Sequence, residues 1–496
     1  MQDYERAKLE SLEIGPLPIV RQYLERLGLE EILARHLPKP TRGRPCELPP
    51  ERVLSVLVTN ILVSHLPLYA APQWADGFVP ELLGLEPSQT QLLNDDRIGR
   101  EMDRLFDADA MALFTDAAVT AVRKFALRLQ QIHSDSTSVT VHGEYKRRAK
   151  ANRKRPPKIT YGFNKDHRPD LKQLVAELAT TSDGNVPIYF KVHDGNMTDD
   201  QMHCDTWSAL RDLVGSANFL YVADCKLAVS ETMRFIEQKQ GTFLSVLPRT
   251  RKETDWFFDY IQSHAVDWEI VRREQNPDYG KPPIPKERPD PGSEDRIADK
   301  PAQFVFAGFE SPQLSKEGFR IFWYRSSQKM RDDLERRGRL MAVARMKIES
   351  LETRLAQSRP VDAAKALSQA QAVLEEQQVS EFLKVEVEPN EYEQFVQEGA
   401  GRPGPKTRYR RIEVPFHHFV LREDAAAIQA AARADGLFPL ITNSKTLTVK
   451  AALDIYKQQP FLEKRHQQLK SVLEMAPVYL KSPCRIAALL LIDYLA

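Results

Sequence analysis

The chain has 496 residues, enough for two to four domains and a sizeable buried core. Its 70 Lys plus Arg against 69 Asp plus Glu leave a net charge of +1, so affinity for an acidic polymer has to come from local patches. Cys46, Cys204, Cys225 and Cys484 lie far apart without C-x-x-C spacing, which argues against a zinc ribbon or a disulfide framework and fits a reducing cytoplasm.

The N-terminus lacks the basic-then-apolar pattern of a signal peptide. Residues from about 16 to 125 read as helices, with Leu, Ile and Val three and four apart in VRQYLERLGLEEILARHL and ERVLSVLVTNILVSHL. A compact helical N-terminal domain is therefore expected over 1–125. Between those helices, Arg42-Gly43-Arg44-Pro45 is narrow, extended and basic enough for an A·T-rich minor groove, and it also has the composition of an ordinary surface turn.

From Leu127 to Pro248 short apolar runs alternate with helices, the pattern of a mixed α/β sheet. LRLQQIHSDSTSV predicts a strand that ends in acidic and hydroxyl residues, and LVAELATTSDGNVPIYFKVHDG a hairpin turning at Asp183-Gly184. A helix is expected from Thr198, capped by that Thr with Asp199 and Asp200 in its first turn. The strand FLYVAD, a helix from Val229 to Gln240 and the strand TFLSVLP complete a first core segment over 126–250.

Residues 251–435 break this rhythm with the Pro-rich run KPPIPKERPDPGSEDR and a helical stretch from Asp332 to about Gln378, and they read as an insertion. In the helical part Leu334, Leu340, Met341, Ile348, Leu351 and Leu355 recur at near-helical spacing, predicting a helical hairpin or short coiled coil. The core resumes at GLFPLITN and continues through helices at Thr446–Tyr456 and Pro460–Glu474, giving a C-terminal part over 436–496. Its last apolar run, Ile486–Leu495, is too short to span a bilayer, and its lack of a cap or polar tail reads as a partial chain.

Asp135 and Asp224 each close a predicted strand, so a sheet pairing those strands gathers two carboxylates at one edge. Aspartate also favours such places for local hydrogen bonding alone. The segment IYKQQPFLEKRHQQLK adds to them: Tyr456, Gln459, Glu463 and Lys470 stand three, four and seven residues apart, near one face of a helix. Hard carboxylate oxygens attract a divalent cation such as Mg²⁺, which keeps waters and leaves room for a substrate phosphate. A phenol and an ammonium beside Glu463 suit that phosphate, although Tyr456 also reads as a packing residue and Lys470 as a solvated one.

This segment resembles the tyrosine-arginine-glutamate-lysine signature (Y, two residues, R, three residues, E, six residues, K) of bacterial insertion-sequence transposases of the DDE type, the IS-four-like superfamily. Three of the four positions match at the right spacing, with Gln459 where the signature has Arg. The order of parts is similar too: an Asp after the first strand, an Asp in a VAD motif, an inserted domain, then the Glu on a helix. The resemblance covers roughly residues 127–480.

It implies an α/β fold with an RNase H-like catalytic core interrupted by a large insertion, in which Asp135, Asp224 and Glu463 are the catalytic acids and hold two Mg²⁺ ions, with Mn²⁺ able to substitute. Such an enzyme cleaves transposon ends and joins the 3′-OH to target DNA. Its partners are double-stranded DNA (terminal inverted repeats and target) and a second copy as a homodimer on DNA, with no membrane and no nucleotide cofactor. The sequence has no G-x-x-x-x-G-K-[ST] loop. The bacterial cytoplasm, at the nucleoid when bound to DNA, is the expected location. The alternatives are a metal-dependent nuclease without strand transfer and an idle DNA-binding derivative. Gln459 is expected to give a phosphate a hydrogen bond without charge, with Lys457, Lys464 or Arg465 supplying charge instead.

For DNA binding outside the signature, KRRAKANRKRPPK offers Lys146, Arg147, Arg148, Arg153, Lys154 and Arg155 without an acid among them, as a phosphate-binding arm or a solvated loop. A second basic stretch is GRPGPKTRYRR at 401–411. Trp256, Phe257 and Phe258 suit either bracing an unpaired base or core packing. His133, His193, His203, Cys204 and Cys225 have no zinc-ligand spacing.

Overall fold

The computed structural model describes residues 11–39, 46–145, 154–165, 167–198, 202–277, 279–280, 301–357, 361–405, 407–468, 470 and 480–496. The chain is mixed α/β and divides into two compact units, Met1–Val246 with Ile441–Ala496, and Leu247–Leu440. Among the described residues no single helix is long and apolar enough to cross a membrane.

The first unit opens with α1 (Leu17–Leu27), α2 (Leu29–His36), α3 (Pro50–Val63), α4 (Ala71–Asp76), α5 (Asp95–Asp107) and α6 (Ala110–Phe125). Side-chain oxygens of Asn94 and Asp109 accept first-turn amides and so start α5 and α6. The apolar stripes of these helices bury Ile32, Leu33, Leu54, Leu57, Leu105 and Phe114 in one core with Val139, Leu174, Leu178 and Phe190 of the following strands. The helical segment, expected as a domain of its own, thus shares its core with the sheet.

That sheet comprises β1 (Gln131–Val141), β2 (Lys172–Thr181), β3 (Pro187–His193), β4 (Leu220–Ala223) and β5 (Thr242–Val246), with α7 (His203–Val214) and α8 (Ser230–Gln238) between the later strands. These five strands of the first unit lie in the order β3-β2-β1-β4-β5. The first three strands are antiparallel, and β4 and β5 run parallel to β1. The hairpin turns at Asp183-Gly184, with Gly184 at φ 76°.

Two expectations are corrected. Asp135 does not end the first strand: β1 pairs with β2 without a break from Ile132 to Val141, so Asp135 lies within it. The buried, β-branched and hydroxyl run Thr137 to Val141 extends the strand where its polarity predicted an end. The helix expected from Thr198 starts instead at His203, with Met202 at its cap. Asp199 and Asp200 lie outside the described residues.

The second unit contains α9 (Lys252–Ser263), β6 (Glu269–Gln275), β7 (Gln303–Glu310), β8 (Arg320–Ser326), α10 (Ser327–Ala356), α11 (Ala363–Glu376), β9 (Leu383–Gln397), β10 (Tyr409–Glu423) and α12 (Ala425–Ala434). The helical hairpin α10–α11 buries Ala344, Ile348, Leu351, Ala370 and Leu374 against Leu383 and Phe419 of β9 and β10. Phe257 is fully buried and stacks on Trp323 at 4.0 Å and 9°, so it packs the core and is not available to brace a base. Arg337 grips Asp435 with two bonds of 2.9 and 2.7 Å.

The chain returns through β11 (Leu437–Thr442) to α13 (Val449–Tyr456), α14 (Gln459–Gln467) and α15 (Pro483–Leu495). Within the first unit Thr442 Oγ1 donates to the Phe243 carbonyl at 2.5 Å, and Asn443 Oδ1 accepts from the Phe243 amide at 3.0 Å. Thr448 Oγ1 then accepts from the Ala451 amide at 3.2 Å and so starts α13.

Candidate active site

The parallel pairing of β1 with β4 matches Gln131 with Leu220, Ile132 with Tyr221 and His133 with Val222. Carried two residues further, the same register sets Asp135 beside Asp224. In-register residues of neighbouring parallel strands sit about 5 Å apart and point to one face. Asp224 follows the last residue of β4, where its carbonyl accepts from Ser245 Oγ at 2.6 Å and its carboxylate Oδ1 from the Lys226 amide at 3.0 Å. His203 Nε2 of α7 lies 4.0 Å from the same oxygen.

The third acid arrives on α14, which docks on β1 through its own polar side chains. Gln459 is buried; its Oε1 accepts from His133 Nδ1 at 2.8 Å and its Nε2 donates to the Ser134 carbonyl at 3.0 Å. Gln458 Oε1 accepts from Gln131 at 2.9 Å. Leu462 and His466 complete the buried face of α14, and Glu463 stands beside them, exposed. This corrects the role expected of Gln459: both ends of its amide are engaged by β1, so it is a strut between strand and helix and not a phosphate contact. Arg465 is engaged as well, donating to the Gly184 carbonyl at 2.9 Å and to Gln468 at 3.0 Å.

Glu463 feels Asp135, and Tyr456 feels all three acids. Partial desolvation first, and the Asp135 charge second, raise the Glu463 carboxyl above its ordinary range, against the opposing pull of Lys165. Tyr456, the last residue of α13, is pushed up to about 12 by burial and then by the charges of Asp224 and Glu463, so its phenol stays a hydrogen-bond donor. Burial lowers His466 to about 3, with the Lys165 and Lys470 charges acting in the same direction. Among the described residues neither buried ring nitrogen of His466 has a hydrogen-bond partner, and Nε2 lies 3.8 Å from Asp135 Oδ2.

Among the described residues no three His, Cys, Asp or Glu side chains already converge on a common ligand position. The donor chemistry nonetheless suits a hard divalent cation: three carboxylates, one within β1 and one directly after the adjacent β4, whose repulsion a cation relieves. Asp135, Asp224 and Glu463 are the residues that would hold it.

Of the other predicted DNA contacts, Arg42, Arg44, Lys146, Arg147, Arg148 and Arg153 lie outside the described residues. Lys154 donates to the Ala108 carbonyl at 3.0 Å with its ammonium 5.6 Å from the Phe106 ring, and both it and Arg155 are exposed. Lys470 lies near enough for its charge to act on His466.

Sequence reasoning passed over three residues beside the acids. His466 follows Glu463 by three positions, a spacing that puts both on one side of a helix and was readable. His203 and Lys165 carry no local signal, because only the sheet brings them to Asp224 and Asp135.

No curated protein matches the sequence. Among solved structures the chain is similar to a piggyBac transposase synaptic complex with hairpin DNA, at 10% identity and TM-score 0.28, over 62% of this chain and 60% of that chain. It is similar also to a pre-cleavage Mos1 transpososome, at 10% identity and TM-score 0.16, over 42% of this chain and 61% of that one. In both cases it spans less than two thirds of the other chain's length, and overlap this loose carries no argument about function. Over residues 9–119, the segment of the N-terminal helices, the sequence matches the family described as Domain of unknown function (DUF4277).

Proposed function

We propose that the chain is a DDE-type DNA transposase with an RNase H-like core, in which Asp135, Asp224 and Glu463 hold two divalent metal ions. The observation that carries this reading is the parallel pairing of β1 with β4 up to His133 and Val222, two residues before Asp135 and Asp224 respectively, with Glu463 carried on a helix that Gln459 bolts to β1. The bound metal supplies Lewis acidity for the attacking oxygen and the departing 3′ oxygen.

The chain's own residues supply placement. The Ser136 amide donates to Asp135 Oδ1 at 2.8 Å, which leaves Oδ2 turned toward His466 and holds the carboxylate in one orientation. Tyr456, protonated at any physiological pH, offers its hydroxyl to a phosphate oxygen, and Lys470 offers charge. Water attack at a transposon end frees a 3′-OH, which attacks target DNA by direct transesterification without a nucleotide triphosphate. Terminal inverted repeats, target DNA and a second copy of the chain are the proposed partners, in a bacterial cytoplasm.

The test is a strand-transfer assay with pre-cleaved ends and Mg²⁺, the ends being inverted repeats that flank the reading frame. Joined product supports a transposase. Cleavage without joining makes the chain a nuclease, and binding alone makes it an idle derivative.

A further inference from the structure

Lys165 reaches Asp135 from a loop that the fold holds in place. Thr160 pairs with Gln173 of β2, and Gln173 Nε2 donates to the carbonyls of Phe163 and Gly195 at 3.0 and 2.8 Å. Gly162 and Gly195 pass so closely that a Cβ on Gly162 would stand 2.1 Å from the Gly195 carbonyl oxygen, and one on Gly195 would stand 1.9 Å from that of Gln173. The Lys165 amide then donates to Ser138 Oγ at 3.0 Å. With the backbone so anchored, the ammonium takes three oxygens from two adjacent residues of β1: the Ser136 carbonyl at 2.6 Å, Ser136 Oγ at 3.0 Å and Asp135 Oδ1 at 3.2 Å.

We infer that Lys165 is a built-in counter-ion of the acidic site, holding Asp135 in the metal-free protein and yielding it when a divalent ion binds. The inference rests on the proposed metal site. An ammonium and a metal ion compete for the same carboxylate electrons, so a site that keeps its own cation binds metal less tightly than its three acids alone would. The field of Lys165 reaches Glu463 and His466 too, which places its charge inside the cluster and not on its rim. Such a counter-ion keeps three repelling carboxylates compatible with a folded site before metal and DNA arrive.

The test is Mn²⁺ titration of the full chain without DNA, followed by electron paramagnetic resonance, for wild type, Lys165→Gln and Lys165→Arg. Removing one unit charge at contact distance from a partly exposed site predicts about tenfold tighter Mn²⁺ binding in Lys165→Gln. Lys165→Arg, which keeps the charge, stays near wild type. In chelator, Lys165→Gln melts at a lower temperature than wild type, and Mn²⁺ closes the gap. Unchanged or weaker Mn²⁺ binding in Lys165→Gln overturns the counter-ion role while leaving the metal site standing. Absence of Mn²⁺ binding in all three proteins overturns the metal site itself, and the counter-ion with it.

Discussion

His133 and Gln459 share a buried hydrogen bond of 2.8 Å between β1 and α14. Gln459 Nε2 is engaged by the Ser134 carbonyl, so its Oε1 faces His133 and the imidazole carries its proton on Nδ1; Gln131 Nε2 then donates to His133 Nε2 at 2.7 Å. Burial lowers the His133 pKa and keeps the ring neutral. The position where the resembled signature has arginine is thus filled by a neutral residue matched to a neutral histidine.

Restoring the signature is therefore predicted to harm this protein. Gln459→Arg puts a charge into a buried amide site and leaves His133 Nδ1 without an acceptor, a loss of about 2 kcal/mol or more. Gln459→Ala costs about 1–3 kcal/mol, the penalty for unsatisfied buried groups. Urea denaturation measures both, and a Gln459→Arg protein as stable as wild type would contradict the strut.

Acid should unfold the protein through its neutral histidines. His466 falls to about 3 in the folded state from an ordinary 6.5, so between those values the unfolded chain binds a proton that the folded one refuses. Stability is complete above about pH 6.5 and declines as pH falls toward 3, by at most about 1.4 kcal/mol per pH unit from this group, with His133 adding in the same direction. His466→Gln flattens that slope in denaturation curves taken from pH 7 to 4. An unchanged slope sets His466 aside as its source.

Gly195→Ala is predicted to dislodge the loop that carries Lys165. The added methyl group would stand 1.9 Å from the Gln173 carbonyl oxygen, which is backbone and cannot swing aside. A cost of about 1–3 kcal/mol is expected, as for overpacked sites. Proteolytic sensitivity near residue 165 should rise with it, and a fully resistant variant would show that the close approach is not needed.

Tyr456→Phe separates the phenol from its ring. The ring packs in a largely buried place, so the fold should persist with a melting temperature near wild type, while binding of end-containing DNA weakens by the worth of one phosphate hydrogen bond, about tenfold. Since the phenol titrates only near 12, the pH dependence of binding below 9 should be the same in both proteins.

The helical N-terminus, the Asp183-Gly184 hairpin and the strands around Asp135 and Asp224 were legible because apolar periodicity and turn chemistry act locally. The five strands β6 to β10 were not: β6, β9 and β10 are charge-rich and largely exposed or half-buried, while β7 and the buried β8 are short apolar runs beside a Pro-rich stretch and a long helix, where periodicity alone does not separate strand from helix. Glu463 was legible from its spacing, whereas Gln459 was misread because spacing tells which side chains share a helix face and not whether that face meets solvent or a strand. Lys165 and His203 reach the acids only through tertiary folding, and no window of sequence contains both partners.

Cleavage of a duplex carrying the element's end, in Mg²⁺, by Asp135→Asn, Asp224→Asn and Glu463→Gln tests the shared acidic site most directly. Each change preserves shape and removes one charge, so each variant is predicted to melt like wild type and to cleave about a thousandfold more slowly. Cleavage at the wild-type rate by any one of the three would contradict the site.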